Sequence, residues 1–475
     1  MSFNEIFPNY PKGWRSLTLG ELAKESGGSI QTGPFGSQLH ASDYVECGIP
    51  SIMPKNISVD GVLKDEIAQI KPEDAERLAK YKVRLGDVVY SRRGDVEKCC
   101  LITEKEDGWL CGTGCLRVRI SAENLLQQYI HAYLCHPAVR DWVVRHAIGA
   151  TMPNLNTSIL SALPVLIPST KEMQRIVEIW STVSKKITLN TQINQTLEQM
   201  AQALFKSWFV DFDPVIDNTL EAGNPIPEPL AERATRRQAM WAAGSEKTPA
   251  RLPAETRQLF PDRFEEDKKL GWVPVGWGGS QMGSEFHVVM GQAPPGSSYN
   301  SEGCGLPFFQ GRGEFGFRYP NKRLYCSEPK RLAEPGSTLI SVRAPVGDVN
   351  MAIEKCCIGR GLAALLHKSN CAGYTYYLIG RLYPEFKVFD SEGTVFGSIN
   401  QKNLKSMPCI APSKELVRCF EESVSPLDNE ILNLSQNNIS LAQLRDILLP
   451  KLLSGELQLP EAEAAVETAL EAEPA

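Results

Sequence analysis

Long apolar runs are missing from this chain of 475 residues. No stretch approaches the roughly 20 residues that cross a bilayer. The opening MSFNEIFPNYPKGW lacks the basic-then-apolar order of an export signal. No membrane association is expected, and the expected location is cytoplasmic. A surplus of positive charge is missing as well: 50 Lys and Arg stand against 56 Asp and Glu, a formal net charge of −6. Taken alone, that balance speaks against a polyanionic partner. No G-x-x-x-x-G-K-[ST] phosphate loop occurs, which excludes a translocating motor on this chain. The Pro-Pro-aromatic run of an adenine methyltransferase is absent too, since Pro294-Pro295 is followed by Gly296 and preceded by Ala293. The six histidines, His40, His131, His136, His146, His287 and His367, show no metal-ligand spacing. His131 and His136 stand five apart on an expected helix, which suits packing.

Cysteine is present but unpatterned. Thirteen thiols, an odd number, suit a reduced chain better than a disulfide framework. Cys99-Cys100 with Cys111 and Cys115 invites a metal reading, yet a second EKCC at 354–357 has no matching pair downstream. Neighbours in a strand also point to opposite faces. These thiols are expected to be small buried side chains, and no metal or cofactor is expected on the chain. One fragment, PDRFEEDKK, places Asp262, Glu266 and Lys268 in an order that mimics metal-dependent nucleases, but at i and i+4 in a charged stretch it reads as a solvated helix face.

What is present is a duplication. NLNTSILSALPVLIPS (154–169) returns as SINQKNLKSMPCIAPS (398–413), pairing Asn156 with Asn400 and Leu160 with Leu404. PKGW returns as PVGW, and CGIPSI as CGLPFF. GDVVYSRRGDV returns as GSTLISVRAPVGDV, pairing Ser91 with Ser341 and Arg93 with Arg343. Each copy ends in a long stretch with helical apolar spacing. The first runs through Ile176, Trp180, Val183, Ile187, Leu197, Ala201, Leu204 and Trp208, and the second through Phe420, Val424, Leu427, Ile431, Leu434, Leu441, Leu448 and Leu452. Asn190 and Asn194 sit in the gap of the first seam and resemble Asn433 and Asn437, where buried amides fix register. In the second stretch Pro426 is expected to kink or restart the helix, and Arg445 occupies an apolar step.

The expected fold class is mixed α/β. It comprises a globule at 1–168, a long helix at 169–211, a connector at 212–270, a second globule at 271–412, a second helix at 413–455 and a tail at 456–475. The tail holds six glutamates and no Lys, Arg or His, so the other 455 residues balance to zero. It is expected to be a solvated appendage, partly disordered or helical. Two helices of about 40 residues, each about 60 Å long, are expected to pair antiparallel as a pseudo-twofold calliper.

This order of text resembles the specificity subunits of type I restriction–modification systems. The marks are GPFGSQLHASDYVECGIPSI (33–52), the doubled proline ending, QALFKSWFVDFDPV (202–215) and LLPKLLSGEL (448–457). The resemblance implies two target recognition domains, each reading half of a bipartite site in double-stranded DNA, with spacer helices that also dock methylation subunits, two of them. It implies no catalysis on this chain. S-adenosylmethionine, ATP and Mg would belong to methylation and restriction/translocase partners, which would make the assembled complex a DNA adenine methyltransferase and ATP-dependent endonuclease. The Glu-Gln usual after the proline ending is replaced by Glu172-Met173-Gln174 and Glu415-Leu416-Val417. Loop donors for DNA are expected at Lys55, Asn56, Arg92, Arg93 and Lys98, and at Arg312, Arg318, Lys322, Arg323, Arg343 and Lys402, with Arg93 and Arg343 foremost. The alternative is an interaction scaffold that binds no DNA.

Overall fold

One strand order occurs twice. The computed structural model describes residues 13–64, 66–149, 153–243, 252–391, 397–454 and 459–471. In the first globule Arg15–Thr18 pairs antiparallel with Pro164–Ile167, closing its start on its end. One sheet runs in the order Ser29–Thr32, Cys115–Arg119, Val88–Ser91, Cys99–Leu101. In the second globule Gly279–Gln281 pairs with Pro408–Ile410, and the matching sheet runs Phe286–Met290, Leu362–His367, Thr338–Ser341, Val349–Met351. Each globule adds a second sheet containing a parallel pair, Ile49–Ile52 with Leu110–Cys111 and Leu306–Phe309 with Cys356–Ile358.

That topology corrects one sequence match. Cys99–Leu101 is the edge strand beside Val88–Ser91, so its counterpart is Val349–Met351. The second EKCC lies in the other sheet, where its counterpart is Leu110–Cys111. The two EKCC strings are alike in letters and different in place. Strand alternation does separate the first pair: Cys99 joins the core beneath the helices, and Cys100 joins the one with Cys111 and Cys115.

The duplicated ending has a structural job at every step. Leu155 N–H donates to Arg92 O at 2.9 Å, and Ile399 N–H to Val342 O at 3.1 Å, so the text begins by bridging to the turn after a central strand. Asn156 then caps a short helix by accepting from Ile159 N–H at 2.8 Å, and Asn400 does the same for Asn403 at 2.9 Å. The buried Leu160 and Leu404 follow, then the closing strand. Ser169 and Glu172 form a capping box for the first long helix, and Ser413 Oγ accepts from Leu416 N–H at 3.2 Å to start the second.

The long helices cover Thr170–Phe209 and Lys414–Ser454. The chain divides into two compact units, Met1–Ile193 with Asn433–Ala475, and Asn194–Leu432. Each helix is thus shared, where the sequence suggested globules separate from helices. The helices run antiparallel within each unit. In the first, Trp180 lies by Arg445 and Asn190 by Asn437. In the second, Phe205, Trp208 and Phe209 pack on Phe420.

Pro426 does not restart the second helix, which is continuous across it. Pro426 and Glu422 are both exposed, so the carbonyl that loses its N–H partner stands on a face open to water. The connector contributes Phe212, Val215 and Phe260 to the second unit's core. Asp262 precedes, and Glu266 lies on, a strand at Phe264–Asp267, not the expected helix. The tail is more than an appendage: Leu459–Glu471 is helical and buries Ala462 and Val466 against Ile179, Val183 and Leu448. Among the described residues no helix is long and apolar enough to cross a membrane.

Candidate nucleic-acid interface

The turns that follow the two equivalent central strands carry the foremost candidates. After Val88–Ser91 the chain turns through Arg92 and Arg93, with Ser91 Oγ donating to Arg93 O at 3.0 Å. After Thr338–Ser341 it turns through Arg343, with Ser341 Oγ donating to Pro345 O at 2.8 Å. Both serines are buried, so the turns are tied from below. Bridges then fasten each arginine to the duplicated ending: Arg93 to Asn154, Arg343 to Ser398. The result is a rigid backbone presenting an exposed arginine, the arrangement that base-edge readout needs. A close backbone crossing holds the neighbouring loop in each copy. A Cβ on Gly33 would meet Gly112 O at 2.1 Å, and one on Gly291 would meet Gly359 O at 2.0 Å.

Other candidates distribute unevenly. Arg93, Arg323, Arg343 and Lys402 are exposed and make no ion pair among the described residues. Lys55 pairs with Glu66 at 3.1 Å, Lys98 with Asp95, Arg312 with Asp348 and Lys322 with Glu354. These four pairs are exposed enough that water screens them and a phosphate could replace the carboxylate. Arg92 is half-buried, its guanidinium 5.8 Å from the Phe35 ring centre. Phe35 (54% exposed) and Phe317 (50%) are large apolar side chains on these loops that sequence reasoning passed over. Their signal was an aromatic inside a glycine-rich polar turn, GPFG and GFR.

Two candidates are removed by the structure. Arg318 is fully buried, its Nη1 2.8 Å from Glu198 and Nη2 2.8 Å from Asp428, with its guanidinium 4.4 Å from the Tyr376 ring centre. Burial pushes both carboxylates up and Arg318 pulls them back down. It is an internal cation, not a surface donor. Asn56 is also fully buried: its Oδ1 accepts from Met53 N–H at 3.1 Å and its Nδ2 donates to Leu63 O at 3.0 Å. It braces the turn that exposes Lys55.

The amides of the seam are placed as follows. Asn190 is fully buried and donates to Asn437 Oδ1 at 3.0 Å and Asn438 Oδ1 at 2.9 Å. Asn194 is buried, while Asn433 and Asn437 are half-buried. Arg445 on the apolar step lies 5.0 Å from the Trp180 ring centre and bonds Asp60 at 2.9 Å.

Comparison with known proteins decides what such a frame is for. Residues 11–199 match the family model described as type I restriction modification DNA specificity domain. The putative MjaX specificity subunit of Methanocaldococcus jannaschii is 27% identical over 406 residues, 83% of each chain. The HindI specificity subunit of Haemophilus influenzae is 27% identical over 431 residues, 82% of this chain and 90% of that one. These likenesses support a specificity subunit of a type I restriction–modification system. Its work is sequence-specific DNA recognition. The HsdS subunit from Thermoanaerobacter tengcongensis is 23% identical and covers 94% of this chain and 98% of that one, with a TM-score of 0.31. The matched segment of this specificity subunit ends within the first long helix. The repeated strand order carries the same architecture into the second half.

Proposed function

We propose that this specificity subunit reads a bipartite DNA site, each globule reading one half, and that the paired helices set the undefined gap. The reading is supported by one observation above others: the same strand, serine-tied turn and exposed arginine occur twice, at Arg93 and at Arg343. The chain performs no chemistry itself. Methylation subunits carry S-adenosylmethionine, restriction/translocase subunits carry ATP and Mg, and this subunit positions them in the cytoplasm on double-stranded DNA. A formal net charge of −6 suits a reader whose partners supply much of the phosphate neutralisation.

The test is a genome-wide methylation map by single-molecule sequencing of cells expressing this chain with its methylation subunit. A split motif, two short defined blocks around a fixed gap, is expected. Exchanging the loops of one globule is expected to change one block alone. A continuous motif, or a one-globule exchange that rewrites both blocks, overturns the modular reading.

A further inference from the structure

Beneath its arginine turn, the first globule buries polar groups that its packing does not require. Cys99 comes from the edge strand, and His131 and Cys135 from one face of the helix Asn124–Leu134 and its C-cap. They are 0%, 6% and 2% exposed. Cys99 Sγ lies 3.8 Å from Cys135 Sγ, and Cys135 Sγ lies 3.5 Å from His131 Nε2. All three ligand atoms lie within 4.8 Å of one another. A tetrahedral zinc ion, with Zn–S about 2.3 Å and Zn–N about 2.0–2.1 Å, sets two sulfurs about 3.8 Å apart and sulfur and nitrogen about 3.5 Å apart. The two close edges of such a site are therefore already in place.

Tyr90 supplies a second, independent observation. Its side chain is fully buried, with the hydroxyl against the Cys99 thiol. Burial chiefly, and then the nearby Cys99 and Cys135, hold that phenol well above its ordinary pKa. A buried hydroxyl donor therefore stands beside both sulfurs.

The second globule shows that the fold needs none of this. Tyr90 pairs with Cys99 across the sheet as Ile340 pairs with Val349. The helix C-caps Cys135 and Leu382 correspond, which places His131 opposite Leu378. Ile340, Val349, Leu378 and Leu382 all belong to one apolar cluster. Four aliphatic side chains stand where the first globule converges four polar ones.

We propose that Cys99, His131 and Cys135 bind one zinc-class divalent cation, with Tyr90 beside the fourth position. Binding releases two thiol protons, and the two thiolates cancel the charge of the ion while His131 ligates as the neutral imidazole through Nε2. His131 also lines a cavity of about 370 Å³ with Gln128, Trp180 and Ser181, which gives the ion a path in. The site fastens a strand to a helix at the foot of the turn formed by residues 92–98. Its role is to stiffen the support of Arg92, Arg93 and Lys98.

The test uses the full chain, reduced and freed of metal, titrated with Co²⁺ and then Zn²⁺. One equivalent of Co²⁺ is expected, with a thiolate-to-cobalt charge-transfer absorption that Zn²⁺ abolishes. The variant Cys99→Val/His131→Leu/Cys135→Leu, which installs the residues of the second globule, is expected to lose that absorption. If it does not fold, Cys99→Ala is expected to weaken zinc binding by at least about tenfold. Cys326→Ala, elsewhere in the chain, is expected to change nothing. Absence of stoichiometric Co²⁺ binding by the unaltered chain overturns the proposal. So does an absorption that persists in the folded triple variant or at full strength in Cys99→Ala, since the ion would then sit on other thiols.

Discussion

The two units fasten a globule to a helix pair with the same chemistry in opposite polarity. In the second unit the cation belongs to the globule: Arg318 reaches Glu198 and Asp428 on the helices and lies over Tyr376. In the first the cation belongs to the helix: Arg445 reaches Asp60 in the globule and lies over Trp180. Duplication has kept the backbone plan and the need for a guanidinium on an aromatic ring at the joint. It has not kept which side supplies it. The joint is therefore a requirement of the assembly, met independently in each copy.

The largest expected effect tests whether the two joints differ in depth. Arg318→Ala strands two largely buried carboxylates, and a loss of about 3–5 kcal/mol is expected in urea unfolding. Arg318→Met combined with Glu198→Gln and Asp428→Asn is expected to recover most of it. Arg445→Ala leaves only Asp60, which is partly exposed, so a loss of about 1–2 kcal/mol is expected. Equal losses would break the comparison.

Acid sharpens the same contrast. Burial pushes His136 down to about 4, and its Nδ1 accepts from Ala138 N–H at 2.9 Å to cap a helix. A histidine pKa depressed by folding means that the folded state holds fewer protons. Its stabilisation is present above the unfolded value near 6.5 and is lost as pH falls toward 4. A loss of about 3 kcal/mol across that window is expected in unfolding scans, and His136→Asn is expected to flatten it. Tyr383 is the corresponding residue in the second copy, at the same place before a helix-starting proline.

Smaller effects belong to the reading face. Arg93→Ala and Arg343→Ala are each expected to relax one block of the methylated motif, by about 1–3 kcal/mol of discrimination, leaving the other block intact. Lys402→Ala is expected to lower affinity for all sequences alike and to reduce the log–log salt slope by about 1. Competition binding at several salt concentrations separates the two behaviours.

Much of this was legible in the residues. The doubled ending, the paired Arg93 and Arg343 and the two apolar seams all repeat in sequence because a cap, a bridge and a helix face each demand specific side chains. Three things were hidden, for one physical reason: they depend on where distant segments meet. Arg318 looks like a loop cation until Glu198, 120 residues earlier, is seen beside it. The second EKCC copies letters into a different strand. Cys99, His131 and Cys135 show metal spacing only once strand and helix pack. His131 and Cys135, four apart on a helix, were the single trace in the sequence.

The acidic tail carries a practical lesson. Because Ala462 and Val466 rest on Ile179, Val183, Leu448 and Leu452, a chain cut after Ser454 would present a greasy stripe to solvent. Loss of solubility in such a truncation would reflect an uncovered surface and not a failure to fold. For anyone attaching a purification handle, the safer end to extend lies beyond the helix, with its glutamates left in place.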